Sequence, residues 1–229
     1  VTIHRIFPTA IGEYFYNDHQ KYNNIFLQNI EKYCIKKNNK LYSGESTGFN
    51  AIHTEPLFVE GFKFIVDSFR TYCNELNFDS SVFDIVITKT WLNILYDNMS
   101  TPNHVHETSH YSFIYYVNVP ENSDMLCFAL EKSSNEPFHG AFYDYTNTNW
   151  KKLVTNYTDL NSIEWSFEPK NGKLFIFPSH LHHYTKKVGT IQNEKRVAVS
   201  GDVFFVYKEN INPNYPTGIF PVSQWRTFE

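Results

Sequence analysis

The chain is poor in the features that most quickly fix a protein's class. It has three cysteines in 229 residues, Cys34, Cys73 and Cys127, an odd number at wide spacing that matches no motif. This argues against a disulfide framework and fits idle thiols in a reducing compartment. No apolar run approaches the ~18 residues of a membrane helix. The stretch Val1-Thr2-Ile3-His4-Arg5-Ile6-Phe7-Pro8 has no long apolar core of the signal-peptide kind. The expectation is therefore a soluble cytoplasmic protein, in the host cytoplasm if the gene is viral, with no membrane partner. Charge of one sign is also missing. Lys and Arg number 20 against 24 Asp and Glu, a formal net charge of −4. No global field then draws nucleic acid or anionic lipid. The lysine pairs at 36–37, 151–152 and 186–187 read as solvated surface. With neither a repeat nor a linker, residues 1–229 read as one domain.

Aromatic residues are plentiful. Sixteen Tyr and twenty-one Phe suit strands, and a 41% hydrophobic content is ample for a core. A short strand is expected within residues 3–15, cut by Pro8. A helix over 17–37 carries the stripe Tyr22, Ile25, Phe26, Ile30, Tyr33 and Cys34. Residues 39–54 have no period and read as loop. A second helix is expected over 55–77, N-capped by Thr54, with Phe58, Phe62, Ile65, Phe69 and Cys73 on its apolar face. Strands follow at 82–88, 89–96, 110–119, 124–130, 172–177, 182–188 and 195–207. Residues 131–168 are too aromatic for a floppy linker and predict a hairpin or lid over the mouth of the fold. The tail reads as irregular but packed by Phe220 and Trp225. The whole predicts an α+β fold, a double-stranded β-helix (jelly roll) braced by two N-terminal helices.

The chemistry centres on His104-Val105-His106. In a strand, residues two apart share a face, so both imidazoles would point one way. Such a pair suits a divalent transition metal. A third ligand can come from Pro178-Ser179-His180-Leu181-His182-His183-Tyr184, after the apolar run Lys173-Leu174-Phe175-Ile176-Phe177. Three histidines from two short segments, with adjacent coordination positions open, is a non-haem iron layout. His180, His182 and His183 all compete for the third place.

In chain order, His104-Val105-His106, Ile114-Tyr115-Tyr116-Val117-Asn118, Gly172-Lys173-Leu174-Phe175-Ile176-Phe177-Pro178, His183 and Arg196-Val197-Ala198-Val199 resemble the iron- and 2-oxoglutarate-dependent oxygenases. Their motif is His-x-Asp/Glu, a distal His, and a basic residue beyond it. Phe7-Pro8-Thr9, Trp91-Leu92-Asn93 and the His-x-His pair are similar to phage and marine bacterial members, and the Ile-Tyr-Tyr strand is distantly similar to prolyl hydroxylases. The resemblance implies Fe(II) on His104, His106 and His183, with His183 preferred for its spacing to Arg196. It implies that Arg196 binds the distal carboxylate of 2-oxoglutarate, helped by Tyr116, with Ile114 as wall and Asn93 as a further contact. The implied reaction oxidises a protein side chain or small metabolite while 2-oxoglutarate becomes succinate.

One departure matters. His106 stands where the usual carboxylate ligand would be, leaving a 2+ charge to three neutral imidazoles and the cosubstrate. Either His106 coordinates, or it swings away and water takes its place, or Glu107 reaches in, ranked in that order. The second arrangement resembles superfamily members without a carboxylate ligand, some of which transfer halide. Trp91, Tyr96 and the aromatic segment 138–165 are candidates for shielding the site. Two other readings compete: a cupin-like three-histidine dioxygenase needing no 2-oxoglutarate, and a non-catalytic jelly-roll module binding carbohydrate or a partner. Nothing in the sequence bears on the oligomeric state.

Overall fold

A computed structural model describes residues 2–33, 45–46, 51–97, 99–143, 153–189, 194–210 and 218–228. Its elements are β1 (Gly12–Phe15), α1 (His19–Tyr33), β2 (Glu45–Ser46), α2 (Val59–Glu75), β3 (Phe83–Leu95), β4 (Tyr111–Asn118), β5 (Met125–Ala129), β6 (Glu164–Phe167), β7 (Lys173–Pro178), β8 (His182–Lys186) and β9 (Arg196–Tyr207). They form two antiparallel sheets, one of six strands in the order β1-β7-β4-β9-β3-β2 and one of three in the order β6-β5-β8. This is the expected α+β arrangement of a jelly roll with helices against one sheet.

Strand alternation divides the larger sheet between two cores. Phe113, Tyr115 and Val117 of β4, with Leu174, Ile176, Val197 and Val199, face the helices and pack with Tyr22, Phe26, Phe62 and Phe69. Ile114 and Tyr116, with Phe175, Phe177 and Ala198, face the smaller sheet and pack with Leu126, Phe128 and Leu181. The helices are tied down by specific contacts. The buried Asn23 donates to Val117 O at 2.7 Å and accepts from the Tyr115 hydroxyl at 2.8 Å, pinning α1 to β4. Gly61 lets α2 lie against Tyr22: a Cβ there would sit 1.8 Å from the Tyr22 ring.

Several boundaries depart from the sequence expectation. Thr54 is not the N-cap of α2, and its hydroxyl donates to Ala51 O at 2.7 Å. Pro56 excludes Glu55 from helical geometry, so Glu55 is extended and a 3-10 turn, Pro56–Phe58, precedes the helix. The helix stops where Asn77 turns left-handed (φ 54°) and Phe78 N donates back to Cys73 O at 2.8 Å. Residues 82–88 and 89–96 are not two strands but the single strand β3, bulged at Thr88. Only β6 is regular within 131–168 among the described residues. Phe220 and Trp225 pack the tail only at its surface: Phe220, 46% exposed, meets the Tyr207 ring at 6.1 Å, and Trp225, 61% exposed, donates Nε1 to Phe220 O at 3.1 Å. The side chains of Ile30, Tyr33 and Cys34, the end of the first helical stripe, lie outside what the structure describes. Among the described residues no helix is long and apolar enough to cross a membrane.

Candidate active site

His104 and His106 do not sit in a regular strand, as their spacing suggested, but in the segment between β3 and β4. That segment is laid antiparallel against the β7–β8 connection. His104 N donates to His183 O at 3.1 Å, His183 N returns to His104 O at 3.0 Å, and His106 N donates to Ser179 O at 2.8 Å. The pairing brings the rings of His104, His106 and His183 together. Their centroids are 4.2 Å (104–183), 5.2 Å (104–106) and 5.2 Å (106–183) apart. One ring nitrogen from each lies within 4.8 Å of the others. Of the three candidates for the distal position, only His183 joins this cluster. His180 is exposed, and His182 pairs with Ala129 on the opposite face of the small sheet. Glu107 is exposed and outside the cluster.

The surrounding acceptors fix which nitrogen each imidazole offers. Nδ1 of His104 lies 2.8 Å from Pro102 O, Nδ1 of His183 lies 2.9 Å from Leu181 O, and Nδ1 of His106 lies 2.6 Å from Asp202 Oδ1. A carbonyl or carboxylate can only accept, so each Nδ1 carries a proton and each Nε2 carries the lone pair. Second partners of this kind orient metal-binding histidines. Burial holds His183 down to about 3, with His104 acting in the same direction, and burial also lowers His104. Neutral imidazoles are what a metal requires. The donor set fits a divalent transition metal.

The cluster opens on a cavity of about 490 Å³ between the two sheets. One wall is β3, presenting Lys89, Trp91, Asn93 and Leu95, and beside it β9 presents Arg196, Ala198, Ser200 and Asp202. Ile114 and Ser112 of β4 and Leu126 of β5 also line it. Trp91 stacks on His106 at 5.3 Å and 23°, with Lys89 Nζ 4.9 Å from the Trp91 ring. Asn93 donates to Ser200 Oγ at 2.8 Å.

Arg196 is 4% exposed. Its Nη2 donates to the Tyr116 hydroxyl at 3.1 Å and its Nη1 to Asp124 O at 3.2 Å, while the buried Nε has no partner. No carboxylate lies within 4.0 Å of it among the described residues. The Asp124 carboxyl is near enough to feel its charge without touching it, and a buried guanidinium with no carboxylate in contact fits an anionic ligand. Tyr116 is fully buried behind Arg196 and does not itself line the cavity. Burial raises the Tyr116 phenol, against the opposing pull of Arg196. Tyr96 and the described residues of 131–168 lie outside the cavity wall, so the expected lid does not cover the site there.

Asp202 is the residue the motif reading missed. It is 3% exposed, and its Oδ1 accepts from His106 Nδ1 and from Ser112 Oγ at 3.0 Å. Burial pushes its carboxyl up, but the hydrogen bonds from His106 and Ser112, with the Lys89 charge, outweigh that and lower it. A signal was present: Ser200-Gly201-Asp202 interrupts the apolar runs Val197-Ala198-Val199 and Val203-Phe204-Phe205-Val206 of a buried strand.

The family model described as "Putative 2OG-Fe(II) oxygenase" matches residues 89–202, which run from the cavity wall of β3 to Asp202. A Pseudomonas putida prolyl-4-hydroxylase has a similar structure, with a TM-score of 0.53 at 11% identity over 85% of this chain and 92% of that one. A Trichoplax adhaerens prolyl hydroxylase, solved with a peptide of hypoxia inducible factor, gives 0.50 at 13% identity over 84% and 83%. HygX of Streptomyces hygroscopicus, solved with nickel and 2-oxoglutarate, gives 0.51 at 8% identity over 86% and 83%. No curated protein matches the chain. The fold and the family match define a non-haem iron oxygenase. The chain belongs to the iron- and 2-oxoglutarate-dependent oxygenase superfamily, whose cofactors are Fe(II) and 2-oxoglutarate.

Proposed function

We propose that this oxygenase hydroxylates a protein side chain or a small metabolite, with one O2 split between the new hydroxyl and succinate while 2-oxoglutarate loses CO2. In this reading His104, His106 and His183 hold Fe(II) through Nε2. Arg196 binds the distal carboxylate of 2-oxoglutarate as a planar, permanently charged fork. Tyr116 keeps that fork in place through its hydroxyl and ring, while Ile114 and Asn93 wall the space between Arg196 and the histidines. Bound Fe(II) and 2-oxoglutarate supply the oxygen-activating chemistry. The chain's own part is to hold His104 and His183 neutral, orient the cosubstrate and limit water with Trp91, Leu126 and Phe177. Exposed Lys89, Glu107 and Thr108 edge the cavity, carrying charge of both signs, and suit a polar substrate such as a peptide or metabolite.

One observation carries the reading: three lone-pair nitrogens and a buried guanidinium with an unpartnered Nε and no carboxylate in contact open on the same cavity. A three-histidine dioxygenase without 2-oxoglutarate would leave that guanidinium without a purpose. The test is anaerobic titration of metal-free protein with Fe(II) and then 2-oxoglutarate, followed by visible absorption. A charge-transfer band that needs both components supports the reading, as does oxygen-dependent succinate formation. Iron binding with no response to 2-oxoglutarate would overturn the cosubstrate assignment.

A further inference from the structure

Three neutral imidazoles carry no charge to set against a divalent ion. The carboxylate nearest to them in hydrogen-bond terms is Asp202, one step behind His106. Its Oδ1 takes the His106 Nδ1 proton at 2.6 Å and the Ser112 hydroxyl proton at 3.0 Å. Behind Ser112 the contacts continue. Ser112 Oγ is 2.9 Å from Ser179 Oγ, which is 2.7 Å from Ser109 Oγ.

The direction of this chain follows from its end. The carboxylate only accepts, so Ser112 donates to it and must itself accept from Ser179. Ser179 then accepts from Ser109, and every proton points towards Asp202. Hydrogen bonds aligned head to tail strengthen one another in a buried setting. Ser112 and Ser179 are buried, and Ser179 also holds the backbone of the ligand segment by accepting from His106 N at 2.8 Å. The backbone beside Asp202 is equally constrained. A Cβ on Gly201 would meet Phe113 at 2.5 Å and Lys89 O at 2.8 Å, so glycine permits the close pairing that sets Asp202 opposite Lys89.

We propose that Asp202 is the positioning residue of the metal centre, supplying through His106 the negative charge that the direct ligands lack, and held there by the Ser109–Ser179–Ser112 chain. The inference rests on His106 being a ligand. It makes His106 a stronger donor with a fixed ring, and it disfavours the arrangements in which His106 swings away or Glu107 replaces it.

The experiment is Fe(II) binding to the full chain, measured anaerobically by competition with a chelator. Asp202→Asn keeps an acceptor of the same shape but removes the charge. It should weaken Fe(II) binding by roughly 10–100-fold. Placed in a His106→Ala background, the same change should cause no further loss, because its route to the metal is gone. Ser112→Ala should weaken binding in the same direction but less, which keeps the test open if Asp202→Asn fails to fold. The Fe(II)–2-oxoglutarate absorption band should also shift in Asp202→Asn. Unchanged Fe(II) affinity in Asp202→Asn, or an equal loss with and without His106, overturns the proposal. Wild-type protein that binds no Fe(II) overturns both this inference and the proposed function, whereas normal wild-type binding with an indifferent Asp202→Asn overturns this inference alone.

Discussion

Ile87 and Lys89 stand two residues apart in β3 yet face opposite sides of the sheet. Ile87 pairs with Val203 and packs towards the helices, and Lys89 pairs with Asp202 and lines the cavity. Thr88 is bulged between them, and bulges of this kind re-aim strands beside active sites. The bulge is what turns Trp91, Asn93 and Leu95 into the cavity while Phe83, Ile85 and Ile87 belong to the helix-facing core.

A deletion pair tests this relationship. Removing Thr88 leaves Ile87 and Lys89 adjacent, and ordinary alternation then keeps them on opposite faces. That variant should fold and bind Fe(II) and 2-oxoglutarate. Removing Thr88 and the fully buried Thr90 together leaves no bulge to absorb the second loss, inverts the facing of residues on one side and should abolish both. Equal behaviour of the two deletions in metal titrations would contradict the account of β3.

Arg196→Ala should leave Fe(II) affinity intact while weakening 2-oxoglutarate binding by about 2–5 kcal/mol, the range for losing one partner of a buried charge pair. Arg196→Lys should recover part of this, since an ammonium lacks the planar fork. Tyr116→Phe should cost about 1 kcal/mol, one hydrogen bond to Arg196. Anaerobic titrations of 2-oxoglutarate into the Fe(II) form measure all three. Loss of iron binding in Arg196→Ala would mean that Arg196 supports the fold instead.

Gly61→Ala probes the helix layer alone. The added carbon would meet the Tyr22 ring, and overpacking of this kind costs about 1–3 kcal/mol. Thermal unfolding should report a lower Tm, while metal binding at low temperature stays unchanged.

The metal-free protein should lose stability in mild acid. Burial holds His183 down to about 3 and lowers His104. In the unfolded chain a histidine titrates near its ordinary value of about 6.5. Between those values the unfolded state binds more protons, so stability falls as pH drops from about 6.5 towards 3 and is at its full value above that window. Thermal unfolding as a function of pH measures it, and His183→Gln should flatten the slope. A wild-type curve that is already level across the window would contradict the burial of a neutral His183.

Much of this was legible in the sequence because it was periodic or local. Tyr22 and Phe26 mark the buried stripe of α1, and Phe62, Ile65, Phe69 and Cys73 that of α2. Alternation in β4, β7 and β9 was equally plain. The histidines were also legible as residue types, although His104 and His106 converge through the bridge to His183 and not through the strand geometry inferred for them. What could not be read depends on partners distant in sequence. The role of Asp202 appears only when β9 is laid beside His106, 96 residues earlier. The bulge at Thr88 needs the register of β9 to become visible. Thr54 failed as a cap for a local reason that was available, the constraint Pro56 places on Glu55. The aromatic content of 131–168 suggested a lid; its described residues lie away from the cavity wall, and 144–152 fall outside the described residues.

The most direct measurement is an anaerobic crystal structure of the protein with Fe(II) and 2-oxoglutarate. The expected result is one metal bound by Nε2 of His104, His106 and His183, with the far carboxylate of 2-oxoglutarate on Arg196. A metal held by Glu107 or His180, or a cosubstrate whose far carboxylate lies away from Arg196, would contradict it.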